Sequence, residues 1–236
     1  MGRVLAIGHR GAAGHLPENT MPSFEKALAL GADGLEFDVA LSRDGIPVVI
    51  HDDTLDRTTD LCGPVEGATF DELQRADAGS WRGVRAHLPS LDQVLASYSH
   101  RTLLNLEIKH SVRRAEIVDA CIEAVRGRGA AAAVMFSSFD HDALRVLRAV
   151  MPEARIGVLV DSSGIEHALA CAAEIGAENV HPPVSLVSEA VVARCHGAGR
   201  NVWAWTANSA SVIERMLAYG VDALFSDFPE RVVEAR

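Results

Sequence analysis

Short apolar runs alternate with segments of helical period along most of the chain. Residues 4–8 form a first apolar run, read as a buried strand, and residues 21–30 carry helical spacing closed by Gly31. Residues 34–41 read as a second strand. Ser42-Arg43-Asp44-Gly45 is a turn signal, and Ile46 to Asp52 returns from it, predicting a hairpin. Beyond it the texture changes. Residues from about 53 to 88 are polar and punctuated by glycines, with one short helix at 70–75, and read as an insertion standing on a loop, too small to own a core. Pro89-Ser90 then caps a helix over 91–98. From Thr102 the alternation is regular, with strands at 103–109, 133–139, 155–160, 179–182, 201–206 and 223–226. Helices lie between them at 114–126, 140–150, 164–175, 188–196 and 209–219.

With the hairpin return set aside, eight parallel-type strands remain, each followed by a helix or a short helical tail. That order predicts an α/β protein, a (β/α)₈ TIM barrel spanning residues 1–236 as one domain, with a small insertion after the second-strand hairpin. A doubly wound open sheet would want a glycine-rich phosphate turn after the first strand, and here that turn is His9-Arg10-Gly11.

A barrel of this kind places its chemistry at the C-terminal ends of its strands. The unusual polar residues fall there: His9 and Arg10, Glu36 and Asp38, Glu107 and Lys109, Ser137 and Ser138, His181, Trp205 and Thr206, and Asp227. Glu36 and Asp38 are two residues apart on a strand and so share a face, with Leu35, Phe37 and Val39 on the other. Glu107 and Lys109 repeat that spacing, with Asn105 one layer deeper. Three carboxylates brought together repel unless something positive lies between them. Glu36, Asp38 and Glu107 therefore suggest an oxygen site for one divalent cation, Mg²⁺ or Ca²⁺. The same groups could form a structural ion-pair network with Arg10 and Lys109. Read with the cation, Arg10 and Lys109 imply a negatively charged substrate group such as a phosphate. The hairpin carries His51 back beside Glu36 and Asp38, so that His9 and His51 read as an acid/base pair. His87, His100, His110, His141, His167 and His196 read as surface or hydrogen-bonded histidines, and His15 and His181 are ambiguous.

Composition narrows the class. The net charge of −10 over 236 residues argues against a nucleic-acid backbone as partner. No apolar run reaches membrane-spanning length, and the N-terminal stretch 1–9 is too short for a signal-peptide core, so a cytoplasmic location without stable membrane insertion is expected. The four cysteines, Cys62, Cys121, Cys171 and Cys195, are widely spaced and read as reduced thiols.

His9-Arg10-Gly11 with Pro17-Glu18-Asn19-Thr20 resembles the opening signature of the glycerophosphodiester phosphodiesterases. Gly34 to Val39 with Asp44 to Asp52 resembles their second. Leu55-Asp56-Arg57-Thr58-Thr59, Leu106-Glu107-Ile108-Lys109, Phe136-Ser137-Ser138-Phe139 and Trp205-Thr206-Ala207-Asn208 extend the likeness over nearly the whole chain. The resemblance implies a metal held by Glu36, Asp38 and Glu107, His9 and His51 as general acid and base, and Arg10 and Lys109 on the phosphate. It adds Glu18 as a support of the metal mouth and Trp205 as a wall against the glycerol, with Trp203 on the same face. The implied reaction is metal-dependent hydrolysis of a glycerophosphodiester to sn-glycerol 3-phosphate and an alcohol, in glycerophospholipid degradation. A lysophospholipid phosphodiesterase with an apolar flank from Phe70, Leu73 and Trp81, and a non-catalytic binding barrel, are the alternatives.

Overall fold

The computed structural model describes residues 2–236; Met1, the first residue of the stretch judged too short for a signal-peptide core, lies outside the described residues. Eight parallel strands close on themselves: β1 (Leu5–Gly8), β2 (Gly34–Leu41), β4 (Leu103–Ile108), β5 (Val134–Ser138), β6 (Arg155–Leu159), β7 (Asn179–His181), β8 (Asn201–Ala204) and β9 (Ala223–Ser226). The closure is the pairing of β1 with both β9 and β2. The expected (β/α)₈ TIM barrel is therefore the fold. The hairpin return, β3 (Pro47–Val49), runs antiparallel to β2 with Leu41 opposite Pro47, and stays outside the ring.

Helices α1 (Met21–Ala29), α3 (Leu91–Tyr98), α4 (Arg114–Gly127), α5 (His141–Val150), α6 (Ile165–Ile175), α7 (Glu189–Gly197), α8 (Ala210–Tyr219) and α9 (Pro229–Ala235) make the outer layer. Their starts are chemically marked. Thr20, Ser90, Asp140, Ser188 and Ser209 each accept a backbone N–H of the first turn, which satisfies donors the helix cannot. The main apolar core lies between strands and helices, where Leu35, Phe37 and Val39 meet Leu104, Leu106 and Ile108 under Phe24, Leu91 and Leu95. Truncating a fully buried side chain there, such as Phe37, to alanine costs about 3–5 kcal/mol. A smaller cluster of Ile7, Met135, Trp203, Ala223 and Phe225 plugs the inside of the barrel.

The segment 53–88 carries the short helix α2 (Phe70–Leu73) and two single 3₁₀ turns. Its apolar residues are organised more than their number suggests. Leu55, Val65, Leu73, Ala78 and Leu88 cluster with Ala40, Val48 and Ile50 of the hairpin, so the insertion shares a core with the hairpin. Trp81 stays half-exposed, its indole bonded to the Ala78 carbonyl and stacked by Arg82. Among the described residues no helix is long and apolar enough to cross a membrane. Cys62, Cys121, Cys171 and Cys195 are free thiols.

Candidate active site

Strand alternation sorts β2 and β4 into two faces. With Leu35, Phe37 and Val39 buried in the outer core, Glu36 and Asp38 must turn toward the barrel axis, and they do so almost without exposure. β4 repeats the rule with Asn105 and Glu107. The register sets Glu36 opposite Asn105 and Asp38 opposite Glu107. One oxygen from each of Glu36, Asp38 and Glu107 lies within 4.8 Å of the other two, and this acidic cluster could hold a metal ion.

The electrostatics of the cluster are lopsided. Burial, and then the charges of Asp38 and Glu107, hold the Glu36 carboxyl well above the usual carboxylate range. Burial, and then Asp38, push Glu107 up to about 7. Burial also presses Asp38 upward, but Arg10, Lys109, His51 and the amide of Asn19 outweigh it and leave it below its ordinary value. Three crowded, buried carboxyls, two of them held above the ordinary carboxylate range, are the hard-oxygen donor set whose repulsion a divalent cation would relieve.

Two cations share this space. The Arg10 side chain donates to Glu18 at 2.8 Å, and its Nε stands 3.2 Å from Asp38 yet buried without a hydrogen-bond partner. Its backbone N–H donates to Glu36 at 2.8 Å, which the left-handed φ of 51° at Arg10 permits. The following turn needs Gly11 at φ 82°, where a Cβ would strike Ser23 at 2.5 Å. Lys109, one residue past the end of β4, donates to Glu107 at 3.1 Å and lies 3.6 Å from Asp38. The ion-pair network considered as an alternative is thus present, and the orphaned Nε and the raised carboxyls of Glu36 and Glu107 leave it incomplete.

His9 and His51 each turn Nδ1 to a carboxylate: Asp227 at 2.6 Å and Asp52 at 2.6 Å. A carboxylate on Nδ1 fixes the ring and frees Nε2. Burial, opposed by Asp38 and aided by Arg10, keeps His51 below the ordinary imidazole range. Both rings line a cavity of about 230 Å³ with Arg10, Glu36, Glu107 and Trp205. Trp205 stands just past β8, its indole N–H bonded to the His181 carbonyl at 2.9 Å and its ring T-shaped against Phe139. Trp203 lies one layer deeper in the barrel plug, stacked on His181, and does not line the cavity. Glu18 contacts none of the three clustered acids; burial opposes its charge, while Arg57 and Arg10 hold its carboxyl low.

Four contributors were given no role from sequence. Asn19, buried at φ 56°, donates to Asp38 at 2.9 Å and accepts the Asp38 backbone N–H. Its signal was available, since asparagine tolerates the left-handed region. Asp52 adjoins His51 in the chain, which is a signal of its own. Asp227 was visible as a strand-end acid, without a partner assigned. Arg57, which binds Glu18 and Asp52 together, lies in the Leu55-Asp56-Arg57-Thr58-Thr59 motif, to which no role was assigned. Of the two ambiguous histidines, His15 pairs with Glu230 near the surface, whereas His181 is fully buried inside the cavity wall.

Residues 9–231 match the model of the glycerophosphoryl diester phosphodiesterase family. A glycerophosphodiester phosphodiesterase from Caldanaerobacter subterraneus subsp. tengcongensis is 35% identical, over 98% of this chain and 97% of its own. One from Bacillus altitudinis is 36% identical over 98% of this chain and 97% of its own. Among solved structures, an Oleispira antarctica phosphodiesterase in complex with the product sn-glycerol-3-phosphate superposes with a TM-score of 0.88 at 33% identity, covering 97% of this chain and 95% of that one.

Proposed function

This chain belongs to the glycerophosphoryl diester phosphodiesterase family, and from that premise we propose that it hydrolyses glycerophosphodiesters to sn-glycerol 3-phosphate and an alcohol through His9, His51 and one divalent cation. That it is a phosphodiester hydrolase follows from the family; the residue roles and the metal are the proposal. The observation that carries it is the meeting of His9, His51, Arg10, Glu36 and Glu107 around one cavity.

Glu36, Asp38 and Glu107 would hold the cation, Mg²⁺ or Ca²⁺, whose bound charge supplies electrostatic stabilisation of the phosphoryl oxygens. Arg10 and Lys109 bring positive charge to the phosphate, Arg10 as a planar fork and Lys109 as a point charge. Glu18 supports this indirectly, by gripping the Arg10 guanidinium. One imidazole takes the proton from the attacking hydroxyl, and the other gives a proton to the departing alcohol oxygen. Each is kept in a single tautomer by its Asp partner. The attacking hydroxyl is either water or the neighbouring hydroxyl of the glycerol itself. Trp205 walls the cavity and keeps bulk water from its apolar side.

The lysophospholipid alternative needs an apolar flank beside the mouth. Leu73 is fully buried in the insertion's cluster and Phe70 packs against that cluster, which leaves Trp81, tied to the Ala78 carbonyl, as the one half-exposed member of the expected flank. Glycerophosphodiesters are therefore the better substrate class. A coupled assay over a panel of glycerophosphodiesters and lysophosphatidylcholine, with Mg²⁺, with Ca²⁺ and with EDTA, tests both points. Turnover that survives EDTA, or that prefers the lysolipid, contradicts this reading.

A further inference from the structure

The barrel floor beneath the proposed phosphate site is half polar and half aromatic, and its polar half is unfinished. His181 is fully buried, lines the cavity, and neither ring nitrogen has a hydrogen-bond partner. Asn105, 2% exposed, donates its amide to Ser137 at 2.9 Å, but its carbonyl oxygen is likewise unpartnered. Buried polar atoms are costly to leave unpaired, so three of them lining or adjoining one cavity call for a ligand.

These residues stand on successive strands. Asn105 on β4 bonds Ser137 on β5, and Ser137 pairs in register with Gly157 on β6. The His181 ring from β7 lies over Gly157, where a Cβ would sit 2.2 Å from Nε2. Gly157 is thus the vacancy that admits the imidazole. The ring is also packed by Trp203, parallel at 4° with centroids 5.4 Å apart, and by Phe225. Burial pushes its pKa down to about 3, so at neutral pH it offers one N–H donor and one lone pair. A hydroxyl group, donor and acceptor at once, complements that pair and the Asn105 carbonyl. A charged group does not.

We propose that His181 and Asn105 form a hydroxyl-recognising subsite at the barrel floor, which selects the polyol end of the substrate. The inference rests on the glycerophosphodiester reading above and deepens it. His181 is a specificity-determining residue here, distinct from the imidazoles that move protons. A site built to bond a hydroxyl rejects the analogue that lacks it.

The test compares binding of sn-glycerol 3-phosphate and propyl phosphate by calorimetry, in wild type and in His181→Phe, which keeps the stack on Trp203 and deletes both nitrogens. Wild type should favour the glycerol ester by at least about 10-fold. His181→Phe should lose most of that preference while its affinity for propyl phosphate stays unchanged. Gly157→Ala, which displaces the ring and deletes no polar group, gives a second route to the same loss should His181→Phe fold poorly. A variant that folds and keeps the wild-type preference overturns the subsite and leaves the phosphodiesterase reading intact. Wild type that hydrolyses no glycerophosphodiester with either metal overturns that reading and the subsite with it.

Discussion

Arg57 grips Glu18 from the insertion, with its two terminal nitrogens 2.8 and 2.7 Å from the two carboxylate oxygens. The same guanidinium reaches Asp52 at 2.6 and 2.9 Å. Glu18 in turn holds Arg10, and Asp52 holds His51. One side chain thereby sets the position of a phosphate-facing cation and of an imidazole. Replacing Arg57 by Ala should lower kcat about 10–100-fold, the usual scale for partners behind a functional group, with KM changing less and Lys restoring only part. Because Arg57 is half-exposed, its melting temperature should move little, and steady-state kinetics beside a thermal melt separate the two effects.

His9→Ala and His51→Ala should each reduce turnover by about 10²–10⁴ with the fold intact by circular dichroism. Asp227→Asn and Asp52→Asn should cost less, since they orient the rings and exchange no proton with substrate. Full activity in both histidine variants would remove the acid/base assignment.

Cation binding should weaken on acidification. Glu36 and Glu107 are held above the usual carboxylate range in the cation-free chain, Glu107 at about 7, so protons compete for the same oxygens. Calorimetry in buffers of different ionisation enthalpy should show proton release near pH 7 and rising Kd below it. In the cation-free protein the sign for folding is the opposite of an ordinary ion pair. The Glu107 contribution is fully present below its ordinary value of 4.5 and is lost as pH rises through about 7, so the metal-free melting temperature should fall over that window.

Glu107→Gln should abolish cation binding and activity while raising the melting temperature of the metal-free protein. The amide removes one of three crowded acids from a buried site. A metal-free melt unchanged or lower contradicts the crowding argument.

Asn19→Ala should destabilise the chain by about 1–3 kcal/mol, because it strips a hydrogen bond from buried Asp38 and leaves a non-glycine residue at φ 56°. Asn19→Gly keeps the backbone at ease and should recover part of the loss in a denaturant titration.

The alternation of apolar runs with helical segments was enough to specify the barrel, because a parallel strand buried on both faces and a helix with one apolar stripe have few ways to cover each other. The same alternation fixed the inward face of Glu36, Asp38 and Glu107, since a strand's period of two leaves no other choice once Leu35, Phe37 and Leu106 are claimed by the outer core. His51 was placed by the hairpin, a local feature. The strand ends were less legible: Lys109 and Trp205 fall just outside the ladder, because the chain leaves the sheet where its side chains turn to the cavity. What the tertiary structure alone decided are the contacts between residues far apart in the chain. His9 meets Asp227 across 218 positions, and Arg57 meets Glu18 across 39. His181 finds its seat only because Gly157 on the neighbouring strand has no side chain. Such pairings depend on closure of the ring and on what a neighbour omits, and no periodicity within a single segment encodes either.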